Sequence, residues 1–367
     1  MVALLPLAGR LFALFVVTRA LAHAFHKLQA APTTPGLARL QTSALYILLL
    51  QLPPILFPST GIEIIARGGA FFLCGFLGSL RWLLWCLGRW PEGGSTAGLT
   101  VSQLQGLLFL PVEGTSQRAT KHIEHASLTT AGLRLGILAA VVVTLSSQDG
   151  TPSLLNTVWR HSLYSLGLYT LLTAFQDLAA MYMTGSLGLH ARMHFGNPLV
   201  SDRLTIFWAK KWNLPVQSIL RSLVYDPITQ GRLTKPEAPS VQLKLPLTVS
   251  WARRFAAVCA VFLLSGVIHE AAFCYLTGAP SPQLRWMWFF AAQGPLCILE
   301  TAIFPRTPVV GVSPWARART TAHIIATAAV LEALAGPLFW KPTEESGLPS
   351  AIVHDAVSSF GIGYTFT

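Results

Sequence analysis

The run VFLLSGVIHEAAFCYL, residues 261–276, places His269 and Glu270 inside an otherwise apolar stretch. An imidazole can stay neutral in such surroundings and take a proton near neutral pH. His269 lies 15 residues beyond Arg254, which is about 22 Å along a helix at ~1.5 Å per residue. That depth is well inside a bilayer, where an ionisable group is a functional candidate by default. The competing reading is a structural histidine bonded to a neighbouring helix. A second constellation is FWAKKWN, residues 207–213, which sets two lysines among three aromatic rings and ends on an amide. Aromatics with lysines suit the membrane–water interface. That setting accounts for Trp208, Trp212, Lys210 and Lys211 but gives no reason for Asn213.

Other arrangements support less. HEAAF lacks the second histidine of a zincin HExxH, and HARMH (residues 190–194) has two histidines at i,i+4 with no third ligand nearby. The sequence contains no GxSxG, Walker or GxGxxG pattern, and Cys74, Cys86, Cys259, Cys274 and Cys297 show no CxxC spacing. No metal and no cofactor is expected. Gln176 and Asp177 sit late in an apolar run, where they either line a polar tunnel or pair within a bundle.

These residues need elements to hold them. The chain has 367 residues, 52% hydrophobic and 11% charged. Soluble domains carry about 25% charge, so this is a membrane composition. Apolar runs at 3–26, 43–58, 68–88, 131–147, 161–189, 255–276, 285–304 and 320–340 predict an all-α polytopic bundle of roughly eight spanning helices. Arg10 and Arg19 interrupt the first run, which does not read as a cleaved signal peptide. Pro53-Pro54 break the second. Residues 91–130, with the cluster Arg118, Lys121, His122, Glu124 and His125, read as a loop, and the polar tail leads to a last short helix. Residues 202–224 predict an interfacial amphipathic helix, with Leu204, Phe207, Trp208 and Trp212 on one side and Pro215 ending its first piece. No repeat divides the chain, which reads as a single domain over 1–367.

The net charge is +11. Residues 190–254 hold ten Lys/Arg against three acids, which is seven of that excess. No hydrophilic basic domain exists to bind nucleic acid. Cytosolic loops and lipid headgroups account for the charge instead.

The motifs also resemble a known family. HFGNPLVSDRLTIFWAKKWNLPVQSILRSLVYDPI is similar to the plant wax-synthase signature, in which an asparagine–proline element leads into S-x-x-FWGRRWN, then ILR and VYDP. SGVIHE matches that family's serine-glycine-x-x-histidine-glutamate element, and LRWLLWCLGRWPE (80–92) resembles it more weakly. The motif-bearing core spans about 195–276. Ala209 stands in place of the glycine and Lys210-Lys211 in place of arginines, so charge is kept but the bidentate fork is not.

The resemblance, to a branch of the membrane-bound O-acyltransferase superfamily, implies a multi-pass protein of the endoplasmic reticulum. It would esterify a lipophilic alcohol with the acyl group of acyl-CoA, the co-substrate. It implies His269 as general base and Asn213 beside the reacting centre. Trp208, Lys210, Lys211, Trp212, Arg221 and Glu270 would serve substrate binding, the cations near CoA phosphates. A fatty alcohol is the expected acceptor, with a sterol or terpenoid alcohol as the alternative. A transporter with a proton-relay histidine, or a non-catalytic membrane scaffold, are the readings from other classes.

The basic excess predicts that residues 190–254 face the cytosol. An N-glycosylation acceptor inserted near Thr234 is expected to stay unmodified in microsomes, and efficient modification there would invert this orientation.

Overall fold

The computed structural model describes residues 6–30, 35–58, 63–90, 96, 98–115, 126–147, 153–235, 249–304 and 314–359. The expected cluster from Arg118 to His125 lies outside them. Apart from one two-residue pairing of β1 (Gly114–Thr115) with β2 (His190–Ala191), the described elements are helical. The helices are α1 (Leu7–Ala30), α2 (Leu37–Leu49), α3 (Glu63–Cys86), α4 (Val101–Phe109), α5 (Leu128–Ser146), α6 (Leu154–Gly185), α7 (Trp251–Thr277), α8 (Arg285–Ile303), α9 (Pro314–Ala335) and α10 (Leu348–Ser359). A broken helical segment, 204–230, lies between α6 and α7.

Five described helical stretches are long and apolar enough to cross a membrane: α1, α3, α5, α7 and Arg317–Glu345. That is fewer than the eight expected. The run at 43–58 ends as a helix at Leu49 because Pro53 and Pro54 open a 3-10 turn. Thirteen residues reach only about 20 Å. Helices α6 and α8 are long enough, but their polar residues, among them Gln176 and Asp177 in α6 and Gln293 and Glu300 in α8, lower their apolarity. The outer face of α5 exposes Leu128, Leu133, Leu135, Ile137 and Val143, as a helix facing lipid should.

Two further expectations are corrected. Residues 91–130 are not all loop, since α4 lies within them. Thr100 caps it and Gln103 returns the bond, a capping box legible in T-V-S-Q. Residues 202–224 are not one amphipathic helix. Two single π turns, Phe207–Lys211 and Arg221–Tyr225, interrupt the run. The first piece stops at Trp212, and Pro215 sits in the first turn of the next helix, where its missing N–H costs nothing.

Phe25, Tyr46, Trp82 and Trp85 pack α1, α2 and α3 together, with Phe25 edge-on to Trp82 at 5.0 Å and Tyr46 stacked on it at 5.4 Å. A second aromatic core joins Phe273 of α7, Trp286, Phe289 and Phe290 of α8, and Phe339 and Trp340 beyond α9. At one end of the bundle, Arg160 pairs with Glu344 at 2.6 Å and His161 Nδ1 meets Glu332 at 3.0 Å. These contacts tie α6 to the C-terminal helices.

Two buried arginines give the 80–92 stretch its physical role. Arg81 donates to the carbonyls of Leu108, Leu110 and Val112 at 3.3, 2.6 and 2.9 Å. These are orphan acceptors at and beyond the C-terminus of α4. Arg89 donates to the carbonyls of Leu233 and Arg232 at 2.5 and 2.6 Å and to Gln230 Oε1 at 3.1 Å, closing the far end of the broken segment. An orphaned buried acceptor costs about 1–3 kcal/mol. Arg81→Met should therefore lower the thermal stability of the detergent-solubilised protein by about 2–4 kcal/mol; an unchanged melting temperature would show that the three carbonyls do not depend on it.

Candidate active site

His269 lies in the C-terminal half of α7, where its Nδ1 is 2.7 Å from the Ser265 carbonyl one turn back. A carbonyl only accepts, so Nδ1 carries the proton and Nε2 carries the lone pair. Among the described residues Nε2 has no hydrogen-bond partner. The ring is stacked on Phe290 of α8, with centroids 3.7 Å apart and planes 21° apart. One face of the imidazole is thus covered, and the proton-accepting nitrogen stays open.

The pairing of α7 with α8 sets that geometry. At Gly266 a Cβ would fall 2.5 Å from the Met287 carbonyl oxygen, so only a glycine allows the two backbones to approach as they do. Glu270 lies on the same side of α7 one turn on. Its Oε1 accepts from the Ser281 N–H at 2.5 Å, and its Oε2 accepts from the Ser281 hydroxyl at 2.8 Å and the Met287 N–H at 3.1 Å. The carboxylate is buried and engaged on both oxygens. It faces the start of α8.

FWAKKWN meets this pair through its first tryptophan. Trp208 Nε1 donates to Gln293 Oε1 of α8 at 3.1 Å, and its ring packs edge-on against Phe262, Phe289 and Phe290. Phe290 therefore touches both Trp208 and His269, and it joins the two motifs. The start of the segment is anchored by Glu300 of α8, which accepts from the N–H groups of Leu204 and Thr205 at 2.7 and 2.9 Å. Sequence reasoning singled out none of Phe290, Gln293 and Glu300.

Trp212 turns the other way. It stacks on Phe207 at 5.5 Å and meets Phe195 edge-on at 5.2 Å. Extended backbone at 194–196 runs beside 211–214, with Gly196 N–H donating to the Lys211 carbonyl and Leu214 N–H to the His194 carbonyl, each at 2.9 Å. A Cβ at Gly196 would fall 2.9 Å from the Lys210 carbonyl oxygen, so HFGN and KKWN lie against each other.

Asn213 sits at the break, at φ 42° and ψ 64°. Asparagine tolerates this left-handed conformation better than most residues, which is one reason for its presence. Its Oδ1 lies 3.5 Å from Gln176 Nε2, which also donates to the Pro111 carbonyl at 2.9 Å. Asn213 and His269 make no hydrogen bond with each other. Beneath them Asp177 is paired with Arg134 at 2.5 Å and lies 3.3 Å from His194 Nε2. Burial, and after it the Arg134 charge, draw the His194 imidazole down to about 4. That ring is neutral, and Arg134 is the charged partner of Asp177. Gln176 and Asp177 thus pair within the bundle.

Lys210 is exposed and Lys211 half-buried, and among the described residues neither makes an ion pair. Arg221 is exposed and turned to its own neighbourhood, 3.5 Å from Asp226 and 5.8 Å above the Tyr225 ring.

Residues 191–292 match the model of the family described as Membrane bound O-acyl transferase. The matched region runs from HFGN through the broken segment and α7 into α8, so it contains both constellations. The chain is also similar to curated proteins of Arabidopsis thaliana. It is 29% identical to acyl-CoA–sterol O-acyltransferase 1 over 64% of each chain. It is 33% identical to probable long-chain-alcohol O-fatty-acyltransferase 6 over 42% of this chain and 41% of that one. The match to probable long-chain-alcohol O-fatty-acyltransferase 7 is 27% identical over 76% and 77%. The first two matches thus span less than two thirds of those relatives' lengths.

The left-handed backbone at position 213 separates two uses of the asparagine. Asn213→Ala should be less stable than Asn213→Gly by about 1 kcal/mol, because only glycine adopts this conformation without strain. In the glycine variant the backbone is satisfied and the amide alone is missing. Equal melting temperatures for the two variants would mean the conformation is not held in solution.

Proposed function

We propose that this chain is an acyl-CoA-dependent O-acyltransferase that esterifies a lipophilic alcohol, with a long-chain fatty alcohol, and hence a wax ester, as the favoured substrate and product. The observation that carries the reading is the 2.7 Å contact between His269 Nδ1 and the Ser265 carbonyl. Its Nδ1–H is committed to the Ser265 carbonyl, which leaves the Nε2 lone pair for a hydroxyl proton. The alcohol oxygen attacks the thioester carbonyl as Nε2 takes its proton. The tetrahedral intermediate collapses, the C–S bond breaks, and the proton passes to the departing CoA thiolate. No redox step is involved, and a thioester is activated enough to react without a metal.

In this reading Asn213, on a different segment from His269, offers an uncharged amide that donates to the developing oxyanion. Lys210 and Lys211, without ion-pair partners among the described residues, attract the CoA phosphates, and Trp208 and Trp212 wall the acyl path. The curated relatives named for long-chain alcohols support the fatty-alcohol acceptor. The relative named for a sterol supports a second reading, a sterol acceptor at the same site. Endoplasmic-reticulum residence is part of the proposal and follows from where a membrane-dissolved alcohol and cytosolic acyl-CoA would meet.

The test is ester formation by microsomes carrying the chain, with labelled acyl-CoA offered to fatty alcohols and sterols in parallel. His269→Ala should lose about 10²–10⁴-fold in turnover, the usual contribution of a general base, while inserting normally. Near wild-type turnover by a well-inserted His269→Ala protein would remove the histidine from the mechanism.

A further inference from the structure

We infer that Glu270 is a positioning residue that sets the His269 imidazole through α8 and does not contact substrate; this rests on the role proposed for His269. The chain of contacts is short. Glu270 holds Ser281 and the Met287 N–H, while the Met287 carbonyl oxygen fills the space that a Cβ at Gly266, one turn back on α7, would need. Met287 is thus gripped at both backbone groups, by polar bonds at 270 and by steric contact at 266. Phe290, one turn beyond Met287, is the ring stacked at 3.7 Å on His269. Register between α7 and α8 is therefore fixed within one turn of the catalytic imidazole.

The loop into α8 needs such a hold. Gln283 and Leu284 are consecutive non-glycine residues with φ of 50° and 55°. This conformation is unfavourable for both and persists only where surrounding bonds impose it. Ser281, two residues earlier, receives no restraint from solvent because it is buried; its N–H and hydroxyl both end on Glu270. Without the carboxylate the loop can relax, α8 loses its register, and Phe290 no longer fixes the plane of His269. Misplacement of a reacting group by about 1 Å can cost about 10²-fold. The carboxylate is buried and three donors from Ser281 and Met287 already end on its two oxygens, so it is turned to the start of α8.

Steady-state kinetics and chemical labelling of the full chain in microsomes test this. Glu270→Ala and Phe290→Leu should each lower kcat at least about tenfold with both KM values unchanged. The double variant should be no slower than the slower single one, because the two act along one path. Carbethoxylation of His269 by diethyl pyrocarbonate, read by mass spectrometry, should accelerate at least about threefold in both variants as the ring is released. Ser281→Ala removes one of three donors and should show a smaller kcat loss of the same kind, which keeps the inference open to refutation if Glu270→Ala fails to fold. A raised KM with kcat intact, additive losses in the double variant, or wild-type turnover and labelling in Ser281→Ala and Glu270→Ala would each overturn it. If the unmodified chain makes no ester, the proposed function falls, and the labelling rates still decide whether Glu270 governs the imidazole.

Discussion

The close approach of α7 to α8 at Gly266 is the constraint on which the site depends. With the Met287 carbonyl oxygen 2.5 Å from where a Cβ would stand, the two helices meet backbone to backbone. Phe290 is thereby carried onto the face of His269, and Gln293 comes within reach of the Trp208 indole. A larger residue at 266 would push α8 outward and separate all of these together. The broken segment inherits its position from the same helix, since Glu300 of α8 holds the segment's first N–H groups.

An apolar bundle has little use for charge, and the charges it buries serve mostly as staples. Arg81 ties α3 to the carbonyls after α4, Arg89 ties the end of α3 to the end of the broken segment, and Arg134 with Asp177 ties α5 to α6. Each joins two separate elements, and each satisfies groups that would otherwise be stranded away from water. Against that background His269 stands apart. Its bond is internal to its own helix, it staples nothing, and its second nitrogen has no partner among the described residues.

Arginine and lysine divide the work along physical lines. A guanidinium fork can serve two or three carbonyls at once, which is what Arg81 and Arg89 do. An ammonium is a compact, strongly hydrated charge. Lys210 and Lys211 sit toward the surface without an acidic partner among the described residues, where a diffuse attraction for a mobile anion does not require fixed geometry. The two positions where the sequence departs from the arginines of the wax-synthase-like motif are thus positions that bear charge outward.

Read alone, the sequence determined the membrane class, most helix positions, and the two constellations, because apolar runs and motif spacing are local properties of the chain. It also placed His269 within a helix, since the run 261–276 around it is apolar but for Ser265, His269 and Glu270. Boundaries were less legible. The sequence points to Pro215 as the break after FWAKKWN, whereas a left-handed Asn213 makes it, and a backbone dihedral leaves no periodic signal. The capping box at Thr100–Gln103 was readable but was hidden by the polar residues around it. What the tertiary structure alone decided is who meets whom. Nothing local indicates that Glu270 faces the start of α8, that Phe290 covers one face of the imidazole, or that Gln176 touches Asn213. Those contacts join residues 11 to 37 positions apart, and which side of a helix meets its neighbour follows from the packing of the whole bundle.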